Sequence, residues 1–207
     1  MSQYVLGINL SHDRSTCLLK DGKVAVAIEE ERLDRIKHSI GRMLHDHARQ
    51  LGPKLIPWRG ITYCLDYCGI GIEDVDLIML DQAGPAVLLN EIAKEIPIKD
   101  KSKIRSIPHP SHHLAHAYSS YFCSPFKESA ILVTDNIGSY LTLAEENEGE
   151  TGYHAQDLKV SEIFKTTSKA RDLESDSLCL GRLYRMGTLL LGFYHEKIAA
   201  GYLGYLI

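Results

Sequence analysis

The sequence predicts an α/β domain, and three observations lead there. Strand-like and helix-like segments alternate along the chain, an order that favours α/β over a bundle or a sandwich. The chain opens with a buried strand and a hairpin marked by Asp21-Gly22, a short-range turn signal between alternating apolar residues. Its 207 residues are 44% hydrophobic and 24% charged, which leaves room for a core and excludes disordered or collagen-like classes.

Residues 4–10 read as a buried strand that Ser11-His12-Asp13 breaks. Strands at 15–20 and 23–29 flank Asp21-Gly22, and 29–38 (EEERLDRIKH) is densely charged. Helical spacing covers 42–51 and 58–68, stopped by Gly52-Pro53 and by Gly69. A short strand is expected at 75–80, a helix at 85–96 ended by Pro97, and a brief strand at 104–107. Ser111 is placed to cap a helix running to about Phe122. Residues 129–134 form a strand closed by Asp135-Asn136. Strands at 139–144 and 158–164 are expected around an acidic loop at 145–150, followed by a helix within 177–194.

The net charge of −4 and the absence of a long basic run argue against nucleic acid or an anionic membrane as the main partner. No signal peptide or membrane-spanning run is visible. The five cysteines (17, 64, 68, 123 and 179) are odd in number and scattered, so free thiols in a reducing cytoplasm are the expectation. Cys64 and Cys68, one turn apart, make half a zinc site with no second pair nearby, and packing is the favoured reading.

Three constellations offer chemistry. In HHLAHA, His112 and His116 lie one helical turn apart on one face. That spacing suits two imidazoles on one divalent ion, or simply a polar helix face. His113 points about a quarter turn away and does not readily join them. Asp135 ends an apolar strand just ahead of Gly138, where open α/β sheets place ligands and where turns also occur. The His12-Asp13 pair after the first strand is either a base with a phosphate or metal contact or a turn.

These residues carry a resemblance to a known family. The segments VLGINLSHDRSTCLLKDGKVAVAIEEERLDRIKH (5–38), HHLAHAYSSYF (112–122) and AILVTD (130–135), with a weaker SLCLGRLYRMGTLLLGF (177–193), resemble in order and spacing the N-terminal domain of the O-carbamoyltransferases of antibiotic and nodulation-factor biosynthesis. The resemblance implies an actin/hexokinase/Hsp70-like first lobe, a mixed sheet with flanking helices spanning 1–207. It implies ATP and an iron-type divalent metal as cofactors. Carbamoyl phosphate would pass through a carbamoyl-adenylate to the hydroxyl of a small-molecule acceptor. By residue it implies His112, His116 and Asp135 as metal ligands and His12 with Asp13 as the catalytic pair. Asn136, Gly138 and Lys37 would be nucleotide or phosphate contacts.

Where the family has Gly after the strand-ending Asp, this chain has Asn136, and Ser139 stands where an acidic residue is usual. Past residue 194 only a distorted echo of the family's glycine-rich segment remains in HEKIAAGYLGYLI. The expectation is therefore a domain incomplete at its C-terminus and inactive alone, needing a separate second lobe or a second copy. A metal- or nucleotide-binding module without catalysis is the alternative, distinguished by turnover. Transfer to tRNA is a further alternative that the acidic charge disfavours.

Overall fold

The computed structural model describes residues 2–10, 13–39, 56–81, 89–135, 138–141, 146–169 and 180–192. It falls into two compact units, Met1–Ser111 and His112–Ile207. Each carries its own sheet.

The first unit opens with β1 (Tyr4–Asn9), β2 (Ser15–Lys20) and β3 (Lys23–Glu29), an antiparallel meander. The turn between β2 and β3 has Asp21 at φ 52° and Gly22 at φ 77°, the two positive angles a tight hairpin of this kind requires. A short helix α1 (Glu31–Asp34) and a 3-10 turn (Lys37–Ser39) take up the charged stretch. Helix α2 (Trp58–Cys68) follows and ends on Gly69 in the left-handed region at φ 63°, where a Cβ is unfavourable. Then come β4 (Leu77–Asp81), α3 (Leu89–Glu95) and β5 (Ile104–Ser106).

The strand order is β3-β2-β1-β4-β5, with β4 parallel to β1 and β5 parallel to β4. Alternation along the strands sends Leu6, Ile8, Leu18, Ile78 and Leu80 to one face, where they pack with Ile61 and Cys64 of α2 and Ile92 of α3. Each such side chain contributes roughly 1.5–3 kcal/mol by leaving water. The core of this unit is mainly hydrocarbon, although Arg14, Thr16, Glu30 and Ser39 are buried as well.

The second unit holds α4 (His112–Phe122), β6 (Glu128–Thr134), β7 (Glu146–Gln156), β8 (Lys159–Lys169) and α5 (Leu180–Leu190). Its sheet is antiparallel in the order β6-β7-β8, with α4 packed on β6 and β7. Ala117, Val133 and Tyr153 form a small apolar core. Beside them Asn147, Glu148, Thr151 and His113 are buried, so this interior is largely polar.

Most expected elements are present, and two expectations in this unit are corrected. The acidic stretch expected as a loop over 145–150 is, from Glu146 onward, the first half of β7. The strand expected over 139–144 is reduced, among its described residues, to one bridge from Tyr140 to Asn147. The polar sequence of β7 hides the strand because Glu148 and Thr151 are buried against hydrogen-bonding partners, with Tyr153 and Ala155 as its buried apolar residues. The helix expected over 42–51 lies outside the described residues, and that over 85–96 is described only from Leu89.

Candidate metal centre

Helix α4 places His112 and His116 on one face, their ring centroids 4.7 Å apart. Their Nε2 atoms are separated by 3.3 Å. Asp135, at the carboxyl end of β6, brings its Oδ2 to 2.5 Å from His112 Nε2. One donor atom from each of the three lies within 4.8 Å of the others. Metal–nitrogen bonds of about 2.1 Å put neighbouring donors around a tetrahedral ion about 3.4 Å apart, so the histidine pair is spaced for ligation. Two imidazoles and one carboxylate on one side of a site are the donor set of non-haem ferrous centres. The donor chemistry of the three residues fits a divalent transition metal, with His112 and Asp135, at 2.5 Å, closer together than two ligands of one ion would stand.

His112 and Asp135 are half-buried while His116 is exposed, so the triad opens outward on one side. That side is a groove of about 470 Å³ lined by Ser119, Ser120, Thr134 and Asp135 among others. The hydroxyls of Ser119 and Ser120 both donate to the His116 carbonyl. A bound ion would keep open positions facing this groove.

A buried polar shell stands behind the triad. The His112 amide donates to Ser139 Oγ at 2.9 Å. Glu148 Oε2 accepts from the amides of His113 at 3.3 Å and Ser139 at 3.0 Å. Its Oε1 pairs with Lys165 Nζ at 2.9 Å. Burial pushes the Glu148 carboxyl up, but Lys165, the Ser139 amide and His113 outweigh it and hold the group below its ordinary value. His113 is fully buried with Nδ1 2.8 Å from Thr151 Oγ1. Burial is the chief reason its pKa is lowered, so it is kept neutral.

The remaining expected site residues fare differently. His12 and Asn136 lie outside the described residues. Asp13 closes the turn after β1 at φ 55°, its carbonyl accepting from Asn9 Nδ2. Lys37 is exposed in its 3-10 turn. Gly138 is buried, and its amide donates to the Glu148 carbonyl rather than facing a groove. A Cβ there would meet Glu148 Cβ at 2.5 Å and His113 Nε2 at 2.7 Å, so this glycine is required by close packing.

Glu30 and Asp34 of the charged stretch 29–38 are structural. Glu30 caps α2 from outside, accepting the Arg59 and Gly60 amides. The buried Arg14 guanidinium holds Ser39 through its carbonyl at 2.6 Å and hydroxyl at 2.7 Å, with Asp34 at 3.7 Å. Cys64 is buried with its thiol directed at the Thr16 carbonyl, and burial pushes its pKa up to about 11. It packs rather than ligates. Glu148, Thr151 and Lys165 escaped sequence reasoning because a buried polar strand has the composition of a loop.

The sequence profile described as Carbamoyltransferase N-terminus matches residues 4–90 and 84–205. The chain belongs to this family. It is 32% identical over 154 residues to the nodulation protein NolNO of Sinorhizobium fredii (strain NBRC 101917 / NGR234), covering 62% of this chain and 20% of that protein. It is 27% identical over 175 residues to the uncharacterized protein sll1178 of Synechocystis sp. (strain ATCC 27184 / PCC 6803 / Kazusa), covering 67% and 26%. The chain thus spans about a fifth to a quarter of the length of these curated relatives. A solved structure described as an uncharacterized protein with similarity to peptidase YEAZ from Pseudomonas aeruginosa superposes with a TM-score of 0.47 at 15% identity, covering 84% of this chain and 70% of that one. Among the described residues, no helix is long and apolar enough to cross a membrane.

Proposed function

We propose that this chain supplies the metal-binding part of an O-carbamoyltransferase acting on a hydroxyl of a small-molecule acceptor. ATP and carbamoyl phosphate are the co-substrates, and a carbamoyl-adenylate is the activated species. The observation that carries the reading is that donor atoms of His112, His116 and Asp135, from two elements, lie within 4.8 Å of one another. A ferrous-type ion, if held by His112, His116 and Asp135, would supply positive charge to neutralise phosphate oxygens. The chain's own part is to hold that charge centre at the mouth of an open groove. Ser119, Ser120 and Thr134 line the groove and offer hydroxyls to a polar substrate. His12, next to Asp13 after β1, is proposed as the base that takes the acceptor's proton.

An actin/hexokinase/Hsp70-like architecture is part of the proposal. It is supported by the antiparallel meander β3-β2-β1 continued by two parallel strands, and by a second antiparallel meander in the other unit.

The test is elemental analysis of anaerobically purified protein. Near-stoichiometric transition metal is expected, and His112→Ala, His116→Ala and Asp135→Ala should each deplete it. Metal retained in full by all three variants would sink the assignment.

A further inference from the structure

We infer that Glu148 is the positioning residue of the His112–His116–Asp135 triad, a role that rests on the metal-site reading above. The triad is made of two pieces, the first turn of α4 and the end of β6, which the intervening chain does not by itself hold in register. Glu148, on β7, has no exposed surface. A single oxygen of its carboxylate accepts from the His113 amide, in the first turn of α4, and from the Ser139 amide, just beyond Asp135. One atom therefore ties together the backbone on both sides of the triad.

The surroundings reinforce the tie. The Glu148 amide donates to the Ser139 carbonyl at 2.9 Å, and its carbonyl accepts from Gly138 at 3.1 Å. Ser139 then reaches back with its hydroxyl to the His112 amide. Gly138 lies so close to the Glu148 side chain that a Cβ would overlap it, so there is little room for the clamp to shift. The amides at the start of an 11-residue helix are free of intrahelical partners and carry partial positive charge, which a carboxylate satisfies. Lys165, 2.8 Å from Glu162, balances the buried charge on the other side. A buried charge is costly unless so paired. Outer groups that orient ligands commonly change metal affinity by about 10–100-fold.

The experiment uses Co²⁺ on the whole chain, reading the dissociation constant and the d–d absorption spectrum, with circular dichroism as the check on folding. Glu148→Gln keeps the volume but removes the charge and presents an N–H₂ to two amides. It should weaken Co²⁺ about 10–100-fold and shift the d–d bands while the fold persists. Glu162→Gln breaks only the outer half of the lysine pairing and should stay within about twofold of the unsubstituted chain. Should Glu148→Gln not fold, Glu148→Asp, which keeps the charge but withdraws it, decides by the same readouts. A folded Glu148 variant with unchanged affinity and spectrum overturns the inference. Equal weakening by Glu162→Gln also overturns it, since general loosening of β7 and β8 would then explain the effect. If neither Glu148 variant folds, the residue is a requirement of the fold and the specific role is refuted. An unsubstituted chain that binds no Co²⁺ removes the metal reading and this inference together, an outcome distinct from the others.

Discussion

At the scale of single residues, Gly138 shows how the metal ligands and the packing behind them constrain each other. Gly138 sits against His113 and Glu148 with no room for a methyl group. Gly138→Ala is expected to destabilise the second unit by about 1–3 kcal/mol, the usual cost of overpacking. It should also lower metal affinity, because relief of the overlap moves Ser139 and the His112 amide bound to it. Chemical unfolding and a metal titration on the same sample would check this, and an unaffected stability would contradict it.

At the scale of elements, the N-terminus of α2 makes the same use of a buried carboxylate as the N-terminus of α4. Glu30 takes the second and third amides of that helix from the end of β3, at 3.3 and 2.7 Å. Gly60 permits the approach, since a Cβ would meet Thr16 Oγ1 at 2.9 Å. Glu30→Ala strands both donors, and a loss of about 2 kcal/mol is expected in the first unit. Trp58, the single tryptophan, begins the same helix and reports its melting by fluorescence; an unchanged midpoint in urea would refute the capping role. The contrast between α2 and β7 explains what the sequence made legible. The hairpin, α2, β6 and α4 follow apolar periodicity and turn chemistry, and the His112–His116 spacing is itself a helical statement. Strand β7 follows neither. Its Glu148 and Thr151 meet His113, while the buried Asn147 donates to the Glu148 carbonyl, and only tertiary partners make that arrangement stable. The shell behind the triad was therefore illegible in the sequence, although the ligands in front of it were not.

At the scale of the molecule, the second unit has the smaller apolar core and the larger share of buried polar groups, and acid should act on it through Glu148. Its folded carboxyl lies below the ordinary value of 4.5, so ionisation stabilises the folded state at pH values above that. The contribution is lost as pH falls through the lower folded value. Amide exchange in β7 and the first turn of α4 should accelerate as pH falls below about 4.5, beyond the intrinsic change in exchange chemistry. Protection that holds down to pH 2 would be inconsistent with this.

The contact between His112 and Asp135 joins residues 23 apart, and that between His113 and Thr151 residues 38 apart. Closing the longer loop rather than the shorter costs under about 0.6 kcal/mol more in chain entropy. Both separations are small beside the 207-residue chain, so neither contact carries a large loop-closure cost. During synthesis, chain emerges from the ribosome N-terminus first, and every group that shapes the triad is available once Lys165 has cleared the exit tunnel. The ligand cluster is thus among the parts of this unit that can assemble while translation is still under way.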